Sequence, residues 1–152
     1  MEGTRPAAKG IAALRIVLGS GFLKGATAGS LPGSAANAVV NPTHGFWVAI
    51  GGNPGLMSVI NTMVVSGEIL IGLALILGLA TRFAGVLGGL MMAFFWIANF
   101  DFAHGLVNEQ FLYGIVAAFV AYSGAGEAYG LDAVIEKAKV VTEHPRLRYV
   151  LG

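Results

Sequence analysis

The sequence predicts an all-α integral membrane protein: a four-helix transmembrane bundle with a cytoplasmic amphipathic helix at its C-terminal end. Three observations carry this expectation. Hydrophobic residues make up 56% of the 152-residue chain and charged residues only 11%, with a mean hydropathy of +0.76. Soluble domains carry about 25% charged residues, because their surfaces must stay hydrated. Apolar runs of about twenty residues recur, the length a helix rising 1.5 Å per residue needs to cross about 30 Å of hydrocarbon. Lys and Arg gather on one side of these runs, as the positive-inside rule requires. The length suits a single domain over residues 1–152. A net charge of +1 gives no basic face for nucleic acid. Cysteine is absent, which excludes disulfides, thiol redox chemistry, iron–sulfur ligation and zinc–thiolate sites.

The first span is expected at 8–28. Arg5 and Lys9 precede an apolar run in the manner of a signal peptide, but Arg15 and Lys24 interrupt that run, so the segment is expected to be retained. An outer loop follows at 29–55, "GSLPGSAANAVVNPTHGFWVAIGGNPG". It is too rich in Gly, Pro and Asn to span, but can fold over the bundle mouth as a short helix or re-entrant piece. The second span covers 56–79 and the third 83–102, joined only by Ala80, Thr81 and Arg82, which forces an antiparallel hairpin. The fourth covers 106–123. Both termini then share the side that holds Arg5, Lys9, Arg82, Lys137, Lys139, Arg146 and Arg148, which places them in the cytoplasm of a multi-pass plasma-membrane protein. In the tail, 130–152, Leu131, Val134, Ile135, Ala138 and Val141 recur at helical spacing. Asp132, Glu136, Lys137, Lys139 and Glu143 fall on the opposite face, the pattern of a helix lying on the membrane surface.

Helices in lipid associate through close packing at small residues. Gly21, Gly25 and Gly29 form two overlapping GxxxG patterns in the first span, Gly85 and Gly89 one in the third, and Gly114 pairs with Ala118 in the fourth. These serve packing within the chain or, through the first span, homo-oligomerisation.

Glu68 is the only charge between Leu56 and Leu79. An ionisable group at the centre of a span costs about 2.5–3.5 kcal/mol on insertion scales, so it is expected to have a partner or a task. Arg15 in the first span is the expected partner, through a bidentate fork, with Lys24 on the other side of the midplane free to snorkel outward. The pair reads either as a polar pocket or proton relay, or as a structural ion pair fixing helix register. Arg82, in the hairpin, is expected to contact lipid phosphate and enforce topology.

Three stretches carry a family resemblance: "LRIVLGSGFLKG" at 14–25, "GEILIGLALILGLATRFAGVLGGLMM" at 67–92 and "GAGEAYGLDAVIEK" at 124–137. In these the chain resembles the DoxX-like membrane proteins, and within them the DoxD type, the small subunit of thiosulfate:quinone oxidoreductase. The closing "HPRLRYVLG" is similar to the tails of archaeal members. One departure stands at Glu127, where relatives often carry arginine. The resemblance implies a membrane subunit of a quinone-linked oxidoreductase, with thiosulfate or another reduced sulfur compound as donor. Lacking cysteine, the chain is expected to need a second membrane or soluble redox subunit. Two other readings stay open, a non-enzymatic anchor for redox partners and a conduit for protons or small solutes.

The outer ends of the third and fourth spans read "WIANFDFAHGLVNEQF". Trp96, Asn99, Asp101, His104 and Glu109 there form a candidate quinone and proton site, His104 with Asp101 or Glu109 supplying donors and protons. The same residues also make an interfacial polar collar with Trp96 in the aromatic belt. His44 can approach this mouth, and His144 is expected in solvent. Metal, haem and nucleotide are not expected: the three His share no ligand spacing and no glycine-rich phosphate loop occurs.

Overall fold

The computed structural model describes residues 5–27, 41–99, 106–137, 141 and 150–151. These residues form helices α1 (Arg5–Gly25), α2 (His44–Gly51), α3 (Pro54–Leu77), α4 (Thr81–Asn99), α5 (Glu109–Tyr122) and α6 (Asp132–Ile135), and no strand is found among them. The all-α class is as the apolar periodicity anticipates, and α2 gives the outer loop a short helix, one of the two forms open to it. Two helices, α3 and α4, are long and apolar enough to cross a membrane. Helix α5 is apolar but has 14 residues, about 21 Å at the helical rise.

Local chemistry sets the helix ends. At the start of α3 the Asn53 side chain accepts from Leu56 N at 3.1 Å and Pro54 occupies the first turn, where its missing N–H costs nothing. Gly78 ends α3 in the left-handed region at φ 65°, which a residue without Cβ adopts freely. Asn108 caps α5 by accepting from Phe111 N at 3.0 Å.

Four helices close a ring. Helix α4 packs most extensively on α5 and α1 on α3, with α3 on α4 and α1 on α5 completing the circuit. The α1–α3 crossing rests on two glycines. A Cβ on Gly72 would lie 2.8 Å from the Gly19 carbonyl oxygen, and one on Gly19 equally close to that of Gly72. Gly85 meets Ala117 and Ala121 of α5 in the same way. Inside lie Leu18 and Phe22 of α1, Ile71 and Leu75 of α3, Ala84 and Met92 of α4, and Ala117 and Val120 of α5. Small-residue contacts are thus made within the chain, one of the two readings of the first-span glycines: Gly21 faces Tyr113 and Gly25 faces Glu68. Gly29 lies outside the described residues.

Large apolar side chains point outward as well. On α3, Val59, Met63, Leu70 and Leu77 are exposed; on α4, Val86, Leu90, Phe94 and Ile97; on α5, Leu112, Ile115 and Phe119. Only 28% of the most apolar stretch of α3 is buried, and 33% of that of α4. A core helix of a soluble protein hides most of such a stretch; here the larger part faces outward.

The tail departs from expectation. Its described helix is four residues long, and Asp132, assigned by periodicity to the solvent face, is completely buried. Residues 138–140 and 142–149, which would complete the amphipathic pattern, lie outside the described set.

Candidate functional site

Polar groups occupy three levels of the bundle. At the hairpin end, residues 131–132 complete both open helix termini. Leu131 N donates to Leu77 O at 3.1 Å and Asp132 N to Gly78 O at 2.8 Å, which satisfies the last carbonyls of the α3 end. The Asp132 carboxylate accepts from Ala80 N at 2.7 Å and Thr81 N at 2.9 Å, so it caps α4 from fifty residues away in the chain. Ala80, at φ 47°, takes the unusual conformation that turns these amides toward the carboxylate.

Arg15 belongs to this knot. Its guanidinium donates to Ala125 O at 2.8 Å and Tyr129 O at 3.4 Å, lies within coulombic reach of Asp132, and is 1% exposed. Gly78 and Gly130 line it so closely that a Cβ at either position would collide with Nη1, and a Cβ on Gly126 would collide with the Asp132 carboxylate. The run "GAGEAYGLD" is therefore glycine-rich because a buried guanidinium and carboxylate fill the space side chains would take.

The expected Arg15–Glu68 pair is not formed. Arg15 lies level with Gly78, whereas Glu68 lies against Gly25, its Oε1 2.6 Å from where a Cβ on that glycine would stand. The two levels are ten residues apart on either helix, about 15 Å at the helical rise. The cause is register. The sequence places Arg15 near the depth of Glu68 if the two spans are centred on one another, but α1 is displaced toward the hairpin end.

Glu68 is therefore alone at the second level, 4% exposed. It lies about 15 Å from the hairpin end, half of a hydrocarbon layer about 30 Å thick. No hydrogen bond or ion pair reaches it from the described residues. Tyr113 of α5 sits one turn away on α1, against Gly21.

The third level is the outer end, where α2 crosses the top of α4. Asn41 donates to the Ile97 and Ala98 carbonyls at 2.9 Å each, completing the α4 C-terminus. Its Oδ1 accepts from Thr43 N at 2.7 Å and Thr43 Oγ1 at 2.6 Å, and Trp47 Nε1 donates to Thr43 Oγ1 at 2.8 Å. Trp47, 1% exposed, stacks edge-on with Phe94 at 5.2 Å. Sequence reasoning passed over Asn41 and Trp47, although "NPTHGFW", a turn followed by aromatics, was the available signal.

The remaining expected site residues divide. Trp96 donates to Leu106 O at 2.7 Å and tilts against Phe111 at 6.0 Å, bracing the α4–α5 connection. Asn99 Nδ2 donates to Phe95 O at 3.0 Å in its own helix. Glu109 is exposed in the first turn of α5, favourably placed at the positive end of the helix dipole. Arg82 is half-buried in the first turn of α4, at the hairpin. Asp101, His104 and His144 lie outside the described residues. His44 Nδ1 is buried without a partner, as is Asn61 Oδ1. Among the described residues no group of three or more His, Cys, Asp and Glu is placed to hold a metal ion. No protein-family model, curated protein or solved structure matches this chain.

Proposed function

We propose that the chain is a four-span integral membrane protein with both termini cytoplasmic, and that it serves as the membrane subunit of a quinone-linked oxidoreductase. The observation carrying the membrane part is the outward-facing apolar surface of α3 and α4. A ring of four helices around one core supports four crossings. Helices α1 and α5 pack on that same core, which supports their crossing alongside α3 and α4. Buried polar groups at the hairpin end suit the interface, where a guanidinium and a carboxylate stay near water.

The redox part rests on the DoxX-like resemblance of 14–25, 67–92 and 124–137. A quinone takes up two electrons and two protons on reduction. In this reading the electrons come from thiosulfate, or another reduced sulfur donor, oxidised on a partner subunit, since a chain without cysteine has no thiol to relay them. The quinone head group is held at the outer collar around Trp96, Asn99 and Glu109.

Purification in mild detergent tests the proposal. Co-extracted quinone, with thiosulfate-dependent quinone reduction by the preparation that contains the partner, supports it. A soluble enzyme that co-purifies without quinone refutes the quinone assignment and leaves a membrane anchor. A chain that stays soluble after detergent removal refutes the membrane part.

A further inference from the structure

Among the described residues, Glu68 has no fixed counter-charge. On α1, Lys24 is exposed and Arg15 is engaged at the hairpin end. On α5 the only charged residue is Glu109, which is exposed. On α4 the only charged residue is Arg82, in the first turn at the hairpin end; α2 carries only His44. The segments 28–40 and 100–105, whatever their placement, contain no Lys or Arg.

What surrounds the carboxylate adds to its negative field. Helix α1 ends at Gly25, beside Oε1, and a helix C-terminus carries about half a negative charge. Seven residues before Glu68, on the same face of α3 and about 10 Å nearer the outer end, Asn61 presents a buried Oδ1 that accepts no hydrogen bond. Carboxylate and amide oxygen are both acceptors, and no donor among the described residues answers either of them. Hard oxygen donors of this kind take small cations. A buried charge in a membrane span marks a functional position unless something pairs it.

We propose that Glu68 binds a small monovalent cation, an alkali ion or a protonated amine, that enters from the outer end past Asn61. Gly25 leaves the carboxylate open toward the end of α1, where any side chain would cover it. The proposal rests on the membrane-spanning reading and not on the quinone assignment.

The test uses the full chain in detergent. Labelling of Glu68 by dicyclohexylcarbodiimide is followed by peptide mass spectrometry in sodium, potassium, methylammonium and choline chloride at equal ionic strength. At least one of the first three should slow labelling about fivefold or more relative to choline. The same ion should raise the melting temperature by roughly 3–5 °C per tenfold increase in concentration above its Kd. Glu68→Gln should abolish the thermal response, and Glu127→Gln, at an exposed position, should preserve it. Equal labelling in all four salts with flat melting temperatures overturns the proposal and leaves Glu68 binding a proton only. Asn61→Leu should weaken the protection; unchanged protection overturns the entry route. Because labelling is read on the unaltered chain, failure of Glu68→Gln to fold does not affect the outcome. Solubility without detergent would overturn the membrane reading by a separate measurement.

Discussion

Removing the Asp132 carboxylate should be the most damaging single change at the hairpin end. Asp132→Ala leaves the Ala80 and Thr81 amides without their acceptor in a site where Thr81 is fully buried. Each orphaned buried donor costs about 1–3 kcal/mol. It also removes the carboxylate beside a guanidinium that is 1% exposed, and breaking a buried charge pair costs about 3–5 kcal/mol. The two estimates describe overlapping interactions, so about 3–5 kcal/mol is expected in total. That corresponds to a fall in melting temperature of roughly 6–20 °C for a chain of this size. Asp132→Asn keeps one acceptor oxygen and the shape, and should lose less. Arg15→Leu removes the charge that Asp132→Ala strands, so the double variant should be more stable than the sum of single losses predicts, by about 0.5–3 kcal/mol. Thermal unfolding in one detergent, with Glu127→Ala as an exposed reference, measures all four. If Asp132→Ala melts within error of Glu127→Ala, the carboxylate does not hold the hairpin and the reasoning fails.

Three further outcomes follow from the register and the topology. Arg15→Leu and Glu68→Leu, about 15 Å apart along the bundle, should change stability additively to within about 0.5 kcal/mol; strong coupling in a double-mutant cycle would restore the direct pair. Gly72→Val pushes side-chain carbon against the Gly19 carbonyl and should cost about 1–3 kcal/mol or separate α1 from α3, read as lost thermal stability; an unchanged melting temperature would show that the crossing is loose. Reporter fusions after Gly152 and within 29–54 should report opposite sides of the membrane, and agreement between them would remove the four-span arrangement.

Helix class, the hairpin between residues 77 and 81 and the apolar outward faces were legible in the sequence, because they depend on local periodicity and on turn residues such as Gly78. The caps at Asn53 with Pro54, and at Asn108, are equally local but were not among the expectations drawn from the sequence. That Glu68 is buried was readable from the apolar run around it. Its isolation was not. Pairing depends on how far one helix slides along another, and composition is nearly silent on sliding when both helices are apolar throughout. The Gly19–Gly72 approach and the displacement of α1 decide it, moving Arg15 to the hairpin end. Asp132 shows the same limit from the other side: helical spacing assigns it to water, yet two backbone amides fifty residues earlier in the chain need an acceptor inside the fold. The sequence determined which residues lie in helices and which faces are apolar, since those follow from neighbours along the chain. The tertiary structure alone decided which charges meet, because a buried charge takes its partner from whatever the packing brings to its depth.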